Sequence, residues 1–490
     1  MAIRRAEQVF LDALLERCIS FSAEVRNSQI KDFPSNAPRI LANCLFKASE
    51  ALINRTNELI AKSRQNEEID PQEVLGEASN IYDFVDFSTS YLCPIIRSSV
   101  STNVPSELVR PLERIAYSAF PKCQILIGAV PELNYYFTKI SPYISELFTN
   151  LGIDNILSEG GYPEDLFHLQ LCSNPPCGIL AHCMLGHELG HAIYEKVGAE
   201  DRLRLRIILN EETVERLINI RHGRYIEEVS TTGIERQPTQ LILDRTKAFI
   251  GYLTRIELPM IAGKWVKELF CDVIGTGIFG PSYICSLSVL LLPFSDIDRL
   301  SHTHPSSRYR IQTCIHALER SDPGFCFRKL KGHPSEKELE HLIQPWREIV
   351  GARVTSIDDP LYKAVFEAVI RIRDEIVHEA KSALEGRYFS PSRFKAVVPI
   401  LRKRIVNWCP PNEYQLNRGG DFEIASLEEI FNAGWLSYLQ DMEYFRILFK
   451  DFTEDKIKGK FHALLLKGVE SSDIQMRWIS QKNKLRSETS

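Results

Sequence analysis

Residues 186–191 read Gly-His-Glu-Leu-Gly-His, and no other stretch constrains the chain as much. It is an H-E-x-x-H pattern. Its flanks, 179–185 and 192–194, are mostly apolar and free of proline, which suits a buried helix. On a helix, residues four apart share a face about one turn apart. His187 and His191 can therefore offer two imidazole nitrogens to one zinc ion, with Glu188 beside them as general base for an attacking water. The same five residues also occur in helices with two ordinary histidines, so the surroundings decide what they mean.

The chain has 490 residues, enough for two or three domains. A net charge of −5 gives no overall basic excess to neutralise phosphates, which argues against nucleic acid as partner. Glu7, Asp12 and Glu16 interrupt the first twenty residues, so they do not read as a secretory signal. The most apolar stretch, 283–294, is closed by Pro293 and is too short for a membrane span; it reads as a buried helix. Twelve cysteines without a C-x-x-C pair point to reduced thiols and a cytoplasmic location. Cys172, Cys177 and Cys183 fit no zinc-ribbon spacing and read as buried thiols.

The expected fold is mainly α with a small β-sheet: a zincin-like core flanked by helical lobes. Residues 1–115 form an N-terminal helical lobe, 116–330 a catalytic domain with the sheet and the H-E-x-x-H helix, and 331–490 a C-terminal helical region. In the first lobe, apolar stripes mark helices around 10–18, 40–60 and 78–92, with Pro34, Pro38 and Pro94 as breaks and Asp70 before Pro71 as a helix start. Strand patterns occupy 123–130, 134–138 and 166–171. An edge of that sheet could pair with an extended peptide and lay it over a metal. Residues 200–265 read as helices with loop signals at Gly223, Gly233 and Pro238.

Two acids, Glu268 and Asp272, then stand four apart in the apolar segment 265–275. Acids on an apolar face are costly unless paired or bound to a metal. Glu268 fits the missing third ligand of a His₂Glu set, and Asp272 fits an acceptor for the N–H of a ligating imidazole. The alternative is an amphipathic helix with both acids in water. Downstream, His304 precedes Pro305 and so sits in an extended or turn conformation, able to point into a cleft. A His or Arg near the metal would stabilise the oxyanion of amide hydrolysis. The plain reading is a polar loop before a helix capped by Ser306 or Ser307.

Together these segments resemble the gluzincin metallopeptidases, above all the family of the bacterial heat-shock protease HtpX and the CAAX prenyl endopeptidases. That family shows H-E-x-x-H, a downstream E-x-x-x-D helix and an H-P-x-x-x-x-R-[IL] segment. Here they are His187-Glu188-Leu189-Gly190-His191, Glu268-Leu269-Phe270-Cys271-Asp272, and His304-Pro305 with Arg310-Ile311. The resemblance covers roughly residues 120–320. It implies one zinc on His187, His191 and Glu268, with Glu188 as base. It places Asp272 behind the ligands, and His304 and Arg310 near the substrate or the glutamate ligand. The transmembrane helices common in that family have no counterpart here.

The expected function is a zinc-dependent metalloendopeptidase acting on a protein or peptide substrate. Its helical lobes would restrict access or recruit a regulatory partner, as in a stress- or defence-triggered system. The competing expectation is a non-catalytic helical interaction or scaffold protein with a structural or vestigial metal site. An aminopeptidase would need an acidic subsite for the substrate amine, and no motif supplies one.

Overall fold

The computed structural model describes residues 2–64, 71–175, 177–231, 239–291, 296–321, 357–417 and 420–489, with single positions between 342 and 351. Asp70, Gly233, Pro238 and Pro293 lie outside them. The protein is mainly helical with a small β part, as the hydrophobic periodicities imply. It divides into two compact units, Met1–Pro175 and Pro176–Ser490. That division falls elsewhere than the expected boundaries near 115 and 330.

In the first unit, helices α1 (Ala2–Gln29) and α2 (Ala37–Arg64) pack on each other. Leu11, Leu14, Cys18, Phe21 and Val25 recur at alternating three- and four-residue steps, and so do Leu41, Leu45, Ala48 and Leu52; all are buried. The two stripes form one seam. Pro38 does not break α2: it lies in the first turn, where a missing N–H costs nothing. Pro94 is accommodated differently, by a change of helix pitch just before it. Helix α3 (Pro71–Phe87) runs through a π-helical turn, Ser88–Leu92, into α4 (Cys93–Ser98), and Pro94 occupies that helix's first turn.

After α5 (Ser106–Ala119) come strands β1 (Gln124–Val130) and β2 (Tyr136–Lys139), helices α6 (Ser141–Asn150) and α7 (Asn155–Glu159), and strand β3 (Leu166–Cys172). The sheet order is β1-β3-β2, with β3 parallel to β1 and antiparallel to β2. Every residue from Ile125 to Ala129 is buried, which accounts for the unbroken apolar run of β1. The sheet belongs to the first unit.

The second unit opens with a 3-10 turn, Gly178–Met184, which leads into α8 (Leu185–Lys196) and α9 (Ala199–Arg204). Helices α10 (Glu211–Thr231), α11 (Gln240–Phe279), α12 (Pro281–Leu291) and α13 (Ser307–Ser321) follow. Gly223 is internal to α10 rather than in a loop. Helix α12 is the buried helix expected from its apolar run. The later helices are α14 (Pro360–Arg371), α15 (Arg373–Ala383), α16 (Pro391–Val406), α17 (Leu427–Gln440), α18 (Met442–Leu448) and α19 (Glu454–Thr489). Strands β4 (Glu413–Tyr414) and β5 (Glu423–Ile424) pair before α17. Trp435 on α17 is fully buried and donates to Leu180 O and Ser286 Oγ, and Asn432 accepts from the Ser282 amide. These bonds join α17 to the turn before α8 and to α12.

No helix among the described residues is long and apolar enough to cross a membrane. The described cysteines are free thiols, with Cys172 and Cys183 buried and Cys177 half-buried.

Candidate metal centre

Helix α8 carries His187, Glu188 and His191, and the C-terminal half of α11 carries Glu268 and Asp272. The helices meet through glycines. A Cβ on Gly186 would lie 2.8 Å from Gly275 Cα, and one on Gly190 would lie 2.7 Å from Cys271 Cα. Both obstacles are backbone atoms, so no rotamer change relieves them, and the bare glycines let the helix axes approach. That approach brings one nitrogen each of His187 and His191 and one Glu268 oxygen within 4.8 Å of one another.

His187 Nδ1–H donates to Asp272 Oδ1 at 2.9 Å. The bond fixes the tautomer and aims Nε2 at Glu268 Oε2, 3.4 Å away. Nε2 of His191 lies 3.7 Å from Glu268 Oε1, and its Nδ1 lies 3.3 Å from Cys271 Sγ. A metal on His191 Nε2 requires the proton on Nδ1, which then donates to the sulfur.

Asp272 is fully buried and saturated. Arg310 holds it with two bonds, Nε to Oδ2 at 2.7 Å and Nη2 to Oδ1 at 2.8 Å. Tyr283 of α12 donates to Oδ1 at 2.6 Å. Gly275 makes room for that ring, since a Cβ there would come 2.5 Å from it. Asp272 thus stands behind His187, not in water, and Arg310 supplies its counterion.

Glu268 is the opposite case. Its side chain is 12% exposed, and buried Oε2 accepts no hydrogen bond among the described residues. Three cationic or ring nitrogens surround that oxygen at longer range: His187 Nε2, His304 Nε2 at 3.5 Å and Arg310 Nη2 at 3.5 Å. A buried carboxylate oxygen without a donor is an unmet demand for a positive ligand. Two imidazoles and one such carboxylate fit a metal ion.

The electrostatics agree. Burial works against a charged His187, but its hydrogen bond to Asp272 and the closeness of the Glu268 carboxylate prevail and raise its pKa to about 10 without metal. Burial and the nearby His187 lower His191 to about 4. Burial alone would raise Glu268; His187, Arg310 and His304 reverse this and hold it at about 2. Glu188 is different again, lifted to about 7 mainly by burial. A carboxyl poised there suits proton transfer near neutrality.

His304 is placed by a tight loop. Trp265 of α11 donates to Ser301 O, Ser301 Oγ accepts from the His304 amide, and Thr303 Oγ1 meets His304 Nδ1 at 2.8 Å. The ring stays half exposed while Nε2 faces Glu268. Ser306 caps α13 by accepting from the Tyr309 amide. Arg310, expected near substrate or the glutamate ligand, is buried and committed to Asp272, with only a 3.5 Å contact to Glu268.

Tyr283, Cys271 and the three glycines escaped the sequence reading. Gly186 and Gly190 carry a legible signal, small residues four apart beside the histidines. Tyr283 carries none, because only tertiary packing brings it under Asp272. No protein family, curated protein or solved structure matches this chain.

Proposed function

We propose that the chain is a zinc-dependent endopeptidase, with His187, His191 and Glu268 holding the ion. The reading rests on the convergence of these three residues beside Glu188, with His187 oriented by a saturated Asp272. The gluzincin resemblance of the three motifs supports the choice of zinc and of peptide hydrolysis. Bound in such a set, zinc supplies Lewis-acid polarisation of the scissile carbonyl and of the attacking water.

The chain's own residues do the rest. Glu188 takes a proton from the attacking water and later delivers it to the leaving amine. His304, half exposed and held by Thr303, stabilises the developing oxyanion with its Nε2 edge. Arg310 does not touch substrate in this scheme. It positions Asp272, which positions His187.

The test is turnover of a quenched fluorescent peptide library by the full chain and by Glu188→Gln. The substitution keeps the shape and removes the base. Cleavage should fall by about 10²-fold or more while bound metal is unchanged. Cleavage by Glu188→Gln at the wild-type rate would sink the proposal. So would the absence of cleavage by metal-loaded wild type across the library, which favours a structural metal in an interaction protein.

A further inference from the structure

The N-terminal half of α11 has an apolar face with nothing on it among the described residues. Ile242, Phe249 and Ile256 recur every seven residues, and Thr246, Leu253 and Met260 each follow four later. This is the a/d spacing of a helix that packs along another helix. The five apolar members are 44–60% exposed. The opposite side is buried on α10, where Gly251 lies against Ile218. Farther along, the open face passes Lys267 and continues under α8, where Gly190 rests on Cys271. One continuous helix face is thus covered by the metal-site helix at one end and bare at the other. An exposed helix face is normally polar.

We infer that this bare face docks an amphipathic helical segment of another protein, one with apolar residues at heptad spacing and acidic flanks. The charge points to the acidic flanks. Arg245 and Lys264 border the stripe, are exposed, and have no acidic partner among the described residues. The acid on that border, Glu257, is engaged by Arg221 at 2.7 Å and by His302 at 3.1 Å. Size argues against a second copy of this chain. Half-exposed side chains of this kind present on the order of 400–500 Å² together. A stable dimer buries about 800 Å² per partner. The stripe suits one helix, and two copies would also juxtapose their unpaired cations. The inference does not depend on the metal or on catalysis.

The experiment uses fluorescence anisotropy on the full chain with two synthetic helices of about three heptads. Both carry leucine at the a and d positions; one has glutamate flanks and the other lysine flanks. The glutamate helix should bind in the micromolar range and the lysine helix at least about tenfold more weakly. Phe249→Asp with Ile256→Asp, both at exposed positions, should lower glutamate-helix affinity by about tenfold or more with the far-UV spectrum unchanged. Arg245→Glu with Lys264→Glu should reverse the preference between the two helices. The inference is overturned by no binding, by equal binding of both helices, or by binding indifferent to the Phe249/Ile256 pair. It is also overturned if that pair abolishes a dimer seen by light scattering, or abolishes sedimentation with phosphatidylglycerol vesicles in the absence of helix binding.

Discussion

Gly190 on α8 lies so close to Cys271 on α11 that a single added methyl would come 2.7 Å from the Cys271 Cα. The distance between the two histidines and Glu268 is set by that approach, not by the side chains alone. Gly190→Ala should push the helices apart, destabilise the protein by about 1–3 kcal/mol and weaken metal binding. Thermal unfolding and a chelator-competition titration read the two effects. Unchanged metal affinity in a folded Gly190→Ala protein would mean that the helix approach does not position the ligands.

Asp272 ties three residues together, and its loss separates two effects. Asp272→Asn should lower metal affinity by about 10–100-fold, because the His187 imidazole loses its orienting acceptor. It should also cost about 3–5 kcal/mol of stability, because Arg310 is left buried without a counterion. Tyr283→Phe removes one donor from the same carboxylate and should cost less, about 1–2 kcal/mol. Denaturant unfolding of the two variants ranks the costs, and an Asp272→Asn cost no larger than that of Tyr283→Phe would contradict the buried-pair argument.

Without metal, His187 is held protonated up to about pH 10, against an ordinary value near 6.5. A pKa raised by folding adds stability that is complete below the unfolded value and is lost as pH climbs through the folded one. The metal-free protein should therefore lose stability steadily between about pH 6.5 and 10. Metal uptake at pH 7.5 should release about one proton, since the Nε2 position must be vacated. Calorimetry in buffers of different ionisation enthalpy measures that proton, and an uptake that releases none would contradict the assigned state of His187.

His304 and Arg310 should behave differently despite their shared motif. His304→Ala removes a half-exposed ring, so it should leave stability within about 0.5 kcal/mol while lowering turnover. Arg310→Ala takes from buried Asp272 its two-bonded guanidinium counterion, so it should destabilise by about 3–5 kcal/mol. Denaturant midpoints alongside peptide turnover separate the two roles. Equal destabilisation by both would mean that His304 is structural.

Legibility in the sequence followed the range of the interaction. Helices α1, α2 and α8 and the three strands β1–β3 stand where periodicity places them, because side-chain period is local. His187 and His191 come together for the same reason. Glu268 and Asp272 were visible as acids stranded in an apolar helix, a pattern that needs a partner wherever the helix lies. The division of labour between Asp272 and Arg310 was not visible, because it depends on α13 reaching α11 from 38 residues away. Nor was the seat of Tyr283 over Gly275, which requires two helices to be placed first. Pro38 misled in the other direction: proline in a first turn and proline as a terminator look alike until the helix register is known.

The most direct measurement is metal content of the full chain purified without added metal, and again after zinc titration, beside His187→Ala. The expectation is about one zinc per native chain and a loss of tight binding in the variant. A native protein that holds no metal and takes none up, or a His187→Ala protein that binds zinc as tightly as wild type, would contradict it.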